Sequence, residues 1–374
     1  MLAFVMRHPS MYLDWYVHVP KLRYDFRSSG ISRFIYDVRL DHLDLSSNYD
    51  HGNPETAAQL AKWYDVDPES VFISSEGASG QNARIIRYLA EENPDKREAI
   101  VEYPTYEPLL RQVQEHFSHV KRLVRAEEEA YKLDADQLAE VVSDKTALLV
   151  ITNPHAPSGA ISDAEELKRL MNVAHDRGFY VLCDEIYAEF DRKTVPTLYS
   201  VDPERSIVTT SFTKAYGLGG LKLGIALAPK NLVDELYCDV LNTVGNSPNL
   251  VQLIAAELLS KDREKLQEHK QRWTLLKRQT EAWLKEQELN FFPSKVGVTY
   301  WTKMPIEDTY DWTSRCAIPQ YGLAAVPGTF FLFEDDYKLK RTNAVRLSLG
   351  NMNPETQTLT DALATVETAI KAYE

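Results

Sequence analysis

The six residues Ala147-Leu148-Leu149-Val150-Ile151-Thr152 form an apolar run without polar alternation, and the run stops at Asn153-Pro154. A strand with one wet face alternates apolar and polar side chains, whereas a strand covered on both faces does not. The run therefore predicts a fully buried strand, ended by a dipeptide that favours a turn. Phe179–Cys183 is a second run of this kind. Between the two, Asp163–Arg177 carries apolar residues at helical spacing and ends at Gly178, suited to the left-handed turn that closes a helix. Buried strands joined by a helix make a parallel unit, which requires a sheet with helices on both faces.

The alternation extends in both directions. Thr56–Trp63 reads as a helix, Ser70–Ser74 as a short strand and Ser79–Ala90 as a helix. Ala99–Val101 reads as a strand and Tyr106–His116 as a helix, with further strands at Ser206–Ser211 and Gly224–Ala228. The predicted fold class is α/β, a mostly parallel sheet flanked by helices. After Pro248 the texture changes: Leu250–Leu259 and Asp262–Glu288 are helical and the second is highly charged, short strands follow Pro293, and a last helix spans Glu355–Tyr373. We expect a large domain at residues 45–260. A smaller α+β domain is expected from 1–44 and 261–374, joined to it by the long helix at about 262–288. A chain of 374 residues can bury cores of both sizes.

Charge and cysteine usage narrow the function. A net charge of −13 disfavours nucleic acid or an anionic membrane as partner, since both call for basic patches. No apolar run approaches the ~18 residues of a membrane span. The three cysteines, Cys183, Cys238 and Cys316, stand far apart with no C-x-x-C pair, which fits a reducing compartment and gives no zinc signature. Met1–Met6 followed by Arg7 lacks the basic-then-apolar order of a signal peptide, so a cytoplasmic enzyme is expected.

In open α/β sheets ligands bind beyond the carboxyl ends of the strands. Four informative strings sit there: Gly77-Ala78-Ser79, Asn153-Pro154, Asp184 and Lys214. Gly77-Ala78-Ser79 opens a helix, where backbone N–H groups and a hydroxyl suit an anion. Lys214 lies in Ser211-Phe212-Thr213-Lys214-Ala215-Tyr216-Gly217-Leu218-Gly219-Gly220-Leu221-Lys222-Leu223-Gly224. A hydroxyl three residues before a lysine, followed by closely spaced glycines, is a combination that ordinary helices and strands avoid.

This string resembles the cofactor-lysine motif of class I/II aminotransferases, fold type I enzymes that use pyridoxal 5′-phosphate, and the resemblance runs from about Leu43 to Leu349. It implies a Schiff base between Lys214 and the cofactor aldehyde, with the same amine later moving the proton. Asp184, in Leu182-Cys183-Asp184-Glu185-Ile186-Tyr187, is similar to the family aspartate that pairs with the pyridine nitrogen. A carboxylate there keeps the ring protonated and makes it an electron sink. Tyr187 matches the tyrosine that donates to the ring hydroxyl oxygen. Gly77, Ala78, Ser79 and Ser211 resemble the phosphate site, with Lys222 where the family usually has arginine. Tyr106, in Tyr103-Pro104-Thr105-Tyr106, resembles the aromatic that stacks on the ring. Tyr49 matches the tyrosine that reaches across a dimer interface to the partner's phosphate. Arg346, downstream of Val326-Pro327-Gly328, resembles the arginine whose planar fork grips a substrate carboxylate.

Two positions depart from the family. Asn153-Pro154-His155-Ala156-Pro157-Ser158-Gly159 resembles N-P-x-N-P-[ST]-G, with Ala156 in place of the second asparagine. Tyr187 is then the remaining donor to the ring oxygen unless His155 or Asn153 fills the gap, and Asn153 is carried as a cofactor-binding candidate. Without such a donor the imine should titrate at a higher pH than is usual for the family. Lys222 keeps a positive charge and loses the bidentate fork.

The rival readings are weaker. Ser211-Phe212-Thr213-Lys214 fits the S-x-x-K of penicillin-binding enzymes, but K-T-G and S-D-N are absent. The glycines match neither phosphate-loop pattern. His116 and His119 at helical spacing could meet a metal, and a half-solvated helix face is the plainer reading. A ligand-sensing regulator on this fold would need a DNA-binding segment, for which the residues before Leu43 leave no room. The expectation is a homodimeric aminotransferase acting on an amino acid and a 2-oxo acid. The alternative is a lyase or cyclase on the same scaffold.

Overall fold

The computed structural model describes residues 10–31, 36, 38, 46, 49–261, 263–333, 339–352 and 358–373, with 261 and 263–272 described by backbone alone. The strands are β1 (Tyr24–Phe26), β2 (Val71–Ser74), β3 (Glu98–Tyr103), β4 (His119–Val124), β5 (Thr146–Thr152) and β6 (Tyr180–Asp184). They continue as β7 (Ser206–Thr210), β8 (Gly224–Leu227), β9 (Thr299–Lys303), β10 (Leu323–Pro327) and β11 (Ala344–Ser348).

Seven strands form one sheet in the order β2-β8-β7-β6-β5-β3-β4. Six of them run in one direction and β8 runs against them. The apolar run in β5 is buried along its whole length, and β5 pairs in parallel with β6, Thr152 opposite Asp184. The helix between them, Ala164–Arg177, opens on a capping box of Asp163 and Glu166 and closes on Gly178 at φ 68°. The expected α/β architecture is present, and element ends differ from the sequence reading by a few residues.

Two elements differ from expectation. The helix Glu107–His116 stops at Phe117, whose extended backbone (φ −109°, ψ 133°) turns the chain so that His119 opens β4. His116 and His119 therefore share no helix face. As an edge strand, β4 is mostly half-exposed and carries no clear alternation, so its pattern was masked. Among the described residues no group of three or more His, Cys, Asp or Glu could hold a metal. Helix Lys230–Thr243 lies outside the expected elements, although its buried Leu232, Leu236 and Val240 keep helical spacing.

The second sheet has four strands in the order β1-β10-β11-β9. It is reached through the long helix Arg263–Glu286, and helix Thr358–Lys371 follows it. Asp262 and Glu355, the expected starts of these helices, lie outside the described residues, as does the expected boundary between residues 44 and 45. β1 pairs in parallel with β10 in this sheet. The preceding helix, Met11–His18, leans the other way: the backbone N–H groups of Met11 and Tyr12 donate to the two oxygens of Glu107 at 2.8 and 2.6 Å. Glu107 is fully buried, so this N-terminal helix is tied to the larger sheet's helices by a carboxylate at its positive end. No described helix is long and apolar enough to cross a membrane.

Candidate active site

Beyond the carboxyl ends of the parallel strands lies a cavity of about 320 Å³, within the range of small-ligand sites. Gly77, Ala78, Ser79, Tyr106, Asp184, Tyr187, Lys214 and Lys222 line it, so eight residues singled out from scattered strings converge on one space. Their convergence follows from topology. β2 delivers the Gly77 turn, β3 the loop of Tyr106, β6 Asp184 and β7 the loop of Lys214, all at the same edge of the sheet.

The Gly77 turn is built from close backbone contacts. Gly77 stands at φ 68° and its N–H donates to the Lys222 carbonyl at 2.7 Å. A Cβ on Gly224 would lie 2.6 Å from the Gly77 oxygen, so only glycine lets β8 pass beneath the turn. The helix Gly77–Glu92 then aims its free N–H groups at the cavity. Lys222 supplies a cation at the rim.

Lys214 is half-buried and its Nζ donates to Ser29 Oγ at 3.2 Å. Burial lowers its pKa; Arg346 and Lys222 push the same way, while Tyr12 and Asp184 oppose them. A lowered pKa leaves more of the amine neutral, the form that attacks a carbonyl or accepts a proton. The segment Ser28–Ile31 packs over this lysine. Ile31 N donates to the Lys214 carbonyl at 2.7 Å, and a Cβ on Gly30 would lie 2.9 Å from Lys214 Cδ.

Asp184 ends β6 and is 9% exposed. Its Oδ1 accepts from Ile186 N at 3.0 Å and its Oδ2 from Asn82 Nδ2 at 2.8 Å. Burial raises its pKa, and these two donors together with Lys214 pull it back.

Four expected residues do not line the cavity. Ser211 is buried with its hydroxyl 2.6 Å from Thr213 Oγ1, and Thr213 lines the cavity in its place. Asn153 spends its side chain on the Ser162 and Pro196 carbonyls and on Ser162 N. Tyr49 lies in the loop before helix Pro54–Tyr64, its carbonyl accepting from Asn246. Arg346 is 2% exposed in β11 and lies behind Tyr12, whose hydroxyl accepts from Arg346 Nη2 at 3.0 Å. Its Nε has no hydrogen-bond partner, so the guanidinium keeps one buried donor unsatisfied. The unmet donor suits an incoming carboxylate.

Neither substitute donor for Ala156 is available. His155 Nε2 donates to the Pro104 carbonyl at 3.0 Å, which leaves Nδ1 to accept from Ser158 Oγ at 2.7 Å. Burial holds this ring neutral, and it braces the loop bearing Tyr106. Ala156 itself lines the cavity. Tyr12, Ser29, Thr152 and Thr213 also line it and are not among the site residues expected from the sequence. Thr213 lies within the lysine string and was legible as a hydroxyl; Tyr12 and Ser29 arrive from the N-terminal segment with no local signal.

The residues present fit pyridoxal 5′-phosphate: a glycine-opened turn with helix N–H groups, a buried carboxylate and a half-buried amine with lowered pKa line one cavity. Comparison with known proteins agrees. A family model described as aminotransferase class I and II matches residues 45–363. The chain is 29% identical over 219 residues to an aspartate aminotransferase of Pyrococcus horikoshii, covering 56% of this chain and 54% of the relative. It is 26% identical over 237 residues to a histidinol-phosphate aminotransferase of Methanocaldococcus jannaschii, covering 63% and 61%. These alignments span little more than half the length of the curated relatives. Among solved structures, a pyridoxal-phosphate-dependent aminotransferase from Streptococcus suis superposes with a TM-score of 0.85 at 22% identity, over 99% of both chains. A Thermus thermophilus aspartate aminotransferase mutant gives 0.77 at 19% identity, over 97% of this chain and 100% of that one. At these identities the superpositions establish the fold.

Proposed function

The chain belongs to the class I and II aminotransferase family, a pyridoxal-phosphate-dependent family of fold type I, and from that premise we propose that it transfers an amino group from an amino acid to a 2-oxo acid. The observation that carries the reading is the shared cavity of Lys214, Asp184 and the Gly77-Ala78-Ser79 turn. When bound, pyridoxal phosphate supplies an aldehyde that condenses with amines and a protonated ring that accepts the electron pair left at the substrate α-carbon.

Lys214 Nζ is the amine that holds the cofactor and, once released, accepts the proton from the substrate α-carbon. Asp184 presents a carboxylate to the ring nitrogen, Tyr187 a hydroxyl to the ring oxygen and Tyr106 a face to the ring. Gly77, Ala78, Ser79, Thr213 and Lys222 hold the phosphate, with Ser211 orienting Thr213. Arg346 and Tyr12 receive the substrate carboxylate. The large domain comprises residues 45–260, and residues 1–44 with 261–374 form the smaller one. The active unit is a cytoplasmic homodimer in which Tyr49 reaches the neighbouring site.

The test is a half-reaction screen. Protein loaded with pyridoxal phosphate is mixed with single amino acids while the absorption spectrum is followed. Conversion of the bound cofactor to pyridoxamine phosphate is the expected result. Release of ammonia in its place favours the lyase, and failure of the purified protein to take up the cofactor overturns the reading.

Because His155 and Asn153 are both engaged elsewhere, Tyr187 stands alone against the ring oxygen. Ala156→Asn should therefore lower the pH midpoint of the bound cofactor's visible absorption by roughly one unit, the size of one hydrogen bond to a charged oxygen. An unchanged or higher midpoint in a spectrophotometric titration counts against this account.

A further inference from the structure

We propose that Asn82 is a positioning residue for Asp184: its side-chain amide, locked by Thr209, fixes the Asp184 carboxylate as an oriented acceptor facing the cavity. The inference rests on the reading of Asp184 as the partner of the ring nitrogen.

Asn82 sits in the second turn of the helix Gly77–Glu92 and is 1% exposed. A buried amide must be matched at both ends. Here Nδ2 donates to Asp184 Oδ2 at 2.8 Å and Oδ1 accepts from Thr209 Oγ1 at 2.5 Å. The Asp184 carboxylate, which only accepts, decides which end of the amide meets it, and the Thr209 hydroxyl, fully buried on β7, then donates to the other end and holds it in place. The flipped amide would set Oδ1 against a carboxylate oxygen and leave two acceptors facing each other.

The other aspartate oxygen receives Ile186 N at 3.0 Å. Each oxygen thus faces a donor that cannot accept, and a proton on the carboxyl would have to displace one of these bonds or turn toward the cavity. Burial works in the opposite direction and favours the neutral acid. The ionisable groups facing Asp184 are Lys214, Tyr106 and the neighbouring Cys183. Of these only Lys214 contributes a positive charge, so Asn82 supplies much of the bias toward the anion. The same helix that opens with the anion turn therefore steadies the carboxylate at the opposite end of the ring site.

Asp184 is read directly by ¹³C-carboxyl labelling of aspartate in the cofactor-free full chain, with the resonance assigned by Asp184→Asn. In Asn82→Leu the titration midpoint should rise by about one to two units, the range of a hydrogen bond to a charged group. Thr209→Val should move it less and in the same direction, and Thr209→Ser should restore the native value. In loaded protein, ring-¹⁵N pyridoxal phosphate should show loss of ring protonation in Asn82→Leu at a pH where the native protein keeps it. Cofactor affinity should fall about tenfold. An unchanged Asp184 titration in folded Asn82→Leu overturns the proposal. Should that variant fail to fold, the Thr209→Val and Thr209→Ser pair decides, because a plain packing role would not move the carboxyl resonance. If the native protein takes up no cofactor, the aminotransferase reading falls while the carboxyl titration still tests this one.

Discussion

Replacing Lys214 with alanine is expected to lower turnover by at least about 10⁴-fold, since one side chain supplies both the covalent attachment and the proton transfer. The visible band of the covalently held cofactor should vanish with it. Steady-state rates on a responsive amino acid, with absorption spectra before and after borohydride, check both effects. A variant that keeps a tenth of native activity would exclude Lys214 from the chemistry. Loss of fold is a separate cause, and thermal melting distinguishes it. The lysine stem packs against Gly30 and Ser29, so truncation leaves a small void, and Asp184 keeps its Asn82 and Ile186 donors. The cost in stability should be modest beside the cost in rate.

The largest expected effect on stability lies away from the cavity. Arg125 and Glu102 are both fully buried, with Nη1 to Oε2 at 2.8 Å, and Arg125 also donates to the Tyr131 carbonyl and Ser162 Oγ. At a pH above the native Glu102 pKa, Arg125→Met should cost about 3–5 kcal/mol, because removing one partner leaves the other to stay buried as an uncompensated charge or to take up a proton. Burial already pushes the Glu102 carboxyl from 4.5 up to about 7, against the pull of Arg125 and Thr152. Loss of Arg125 raises it further. A carboxyl whose folded pKa lies above its unfolded value stabilises the fold fully below the unfolded value, and that contribution is lost as pH rises through the folded one. The gap between native and variant protein should therefore stay level in acid and widen as pH rises from about 6 to about 8, through the native Glu102 pKa. Urea unfolding at both ends of that window measures it. A gap that is constant with pH, or larger in acid, would contradict the account.

The legible part of the fold was the part set by local pattern. β5 and β6 could be read because strands covered on both faces lose their alternation. The helix between them could be read because Asp163, Glu166 and Gly178 mark its ends. β4 and helix Lys230–Thr243 were missed for different reasons. An edge strand has a mixed surface with no clear period, whereas the helix had a readable stripe that the expected elements passed over.

The same division runs through the site. Asp184, Lys214 and the Gly77 turn stand in strings whose chemistry is written in consecutive residues. Asn82, Tyr12 and Ser29 have no such strings. Asn82 meets Asp184 across 102 positions. Tyr12 meets Arg346 across 334 positions, which sets a tyrosine hydroxyl against the arginine proposed to grip the substrate carboxylate.

By itself, then, the sequence determined the parallel sheet and which residue types stand at its carboxyl edge, because burial and backbone turns leave marks within a few residues. The tertiary structure alone decided how those groups are tuned. It turned His155 and Asn153 away from the gap at Ala156, brought Thr213 to the cavity ahead of Ser211, and locked Asn82 between Thr209 and Asp184. Tuning depends on desolvation and on hydrogen bonds at about 3 Å, and both are properties of neighbours in space.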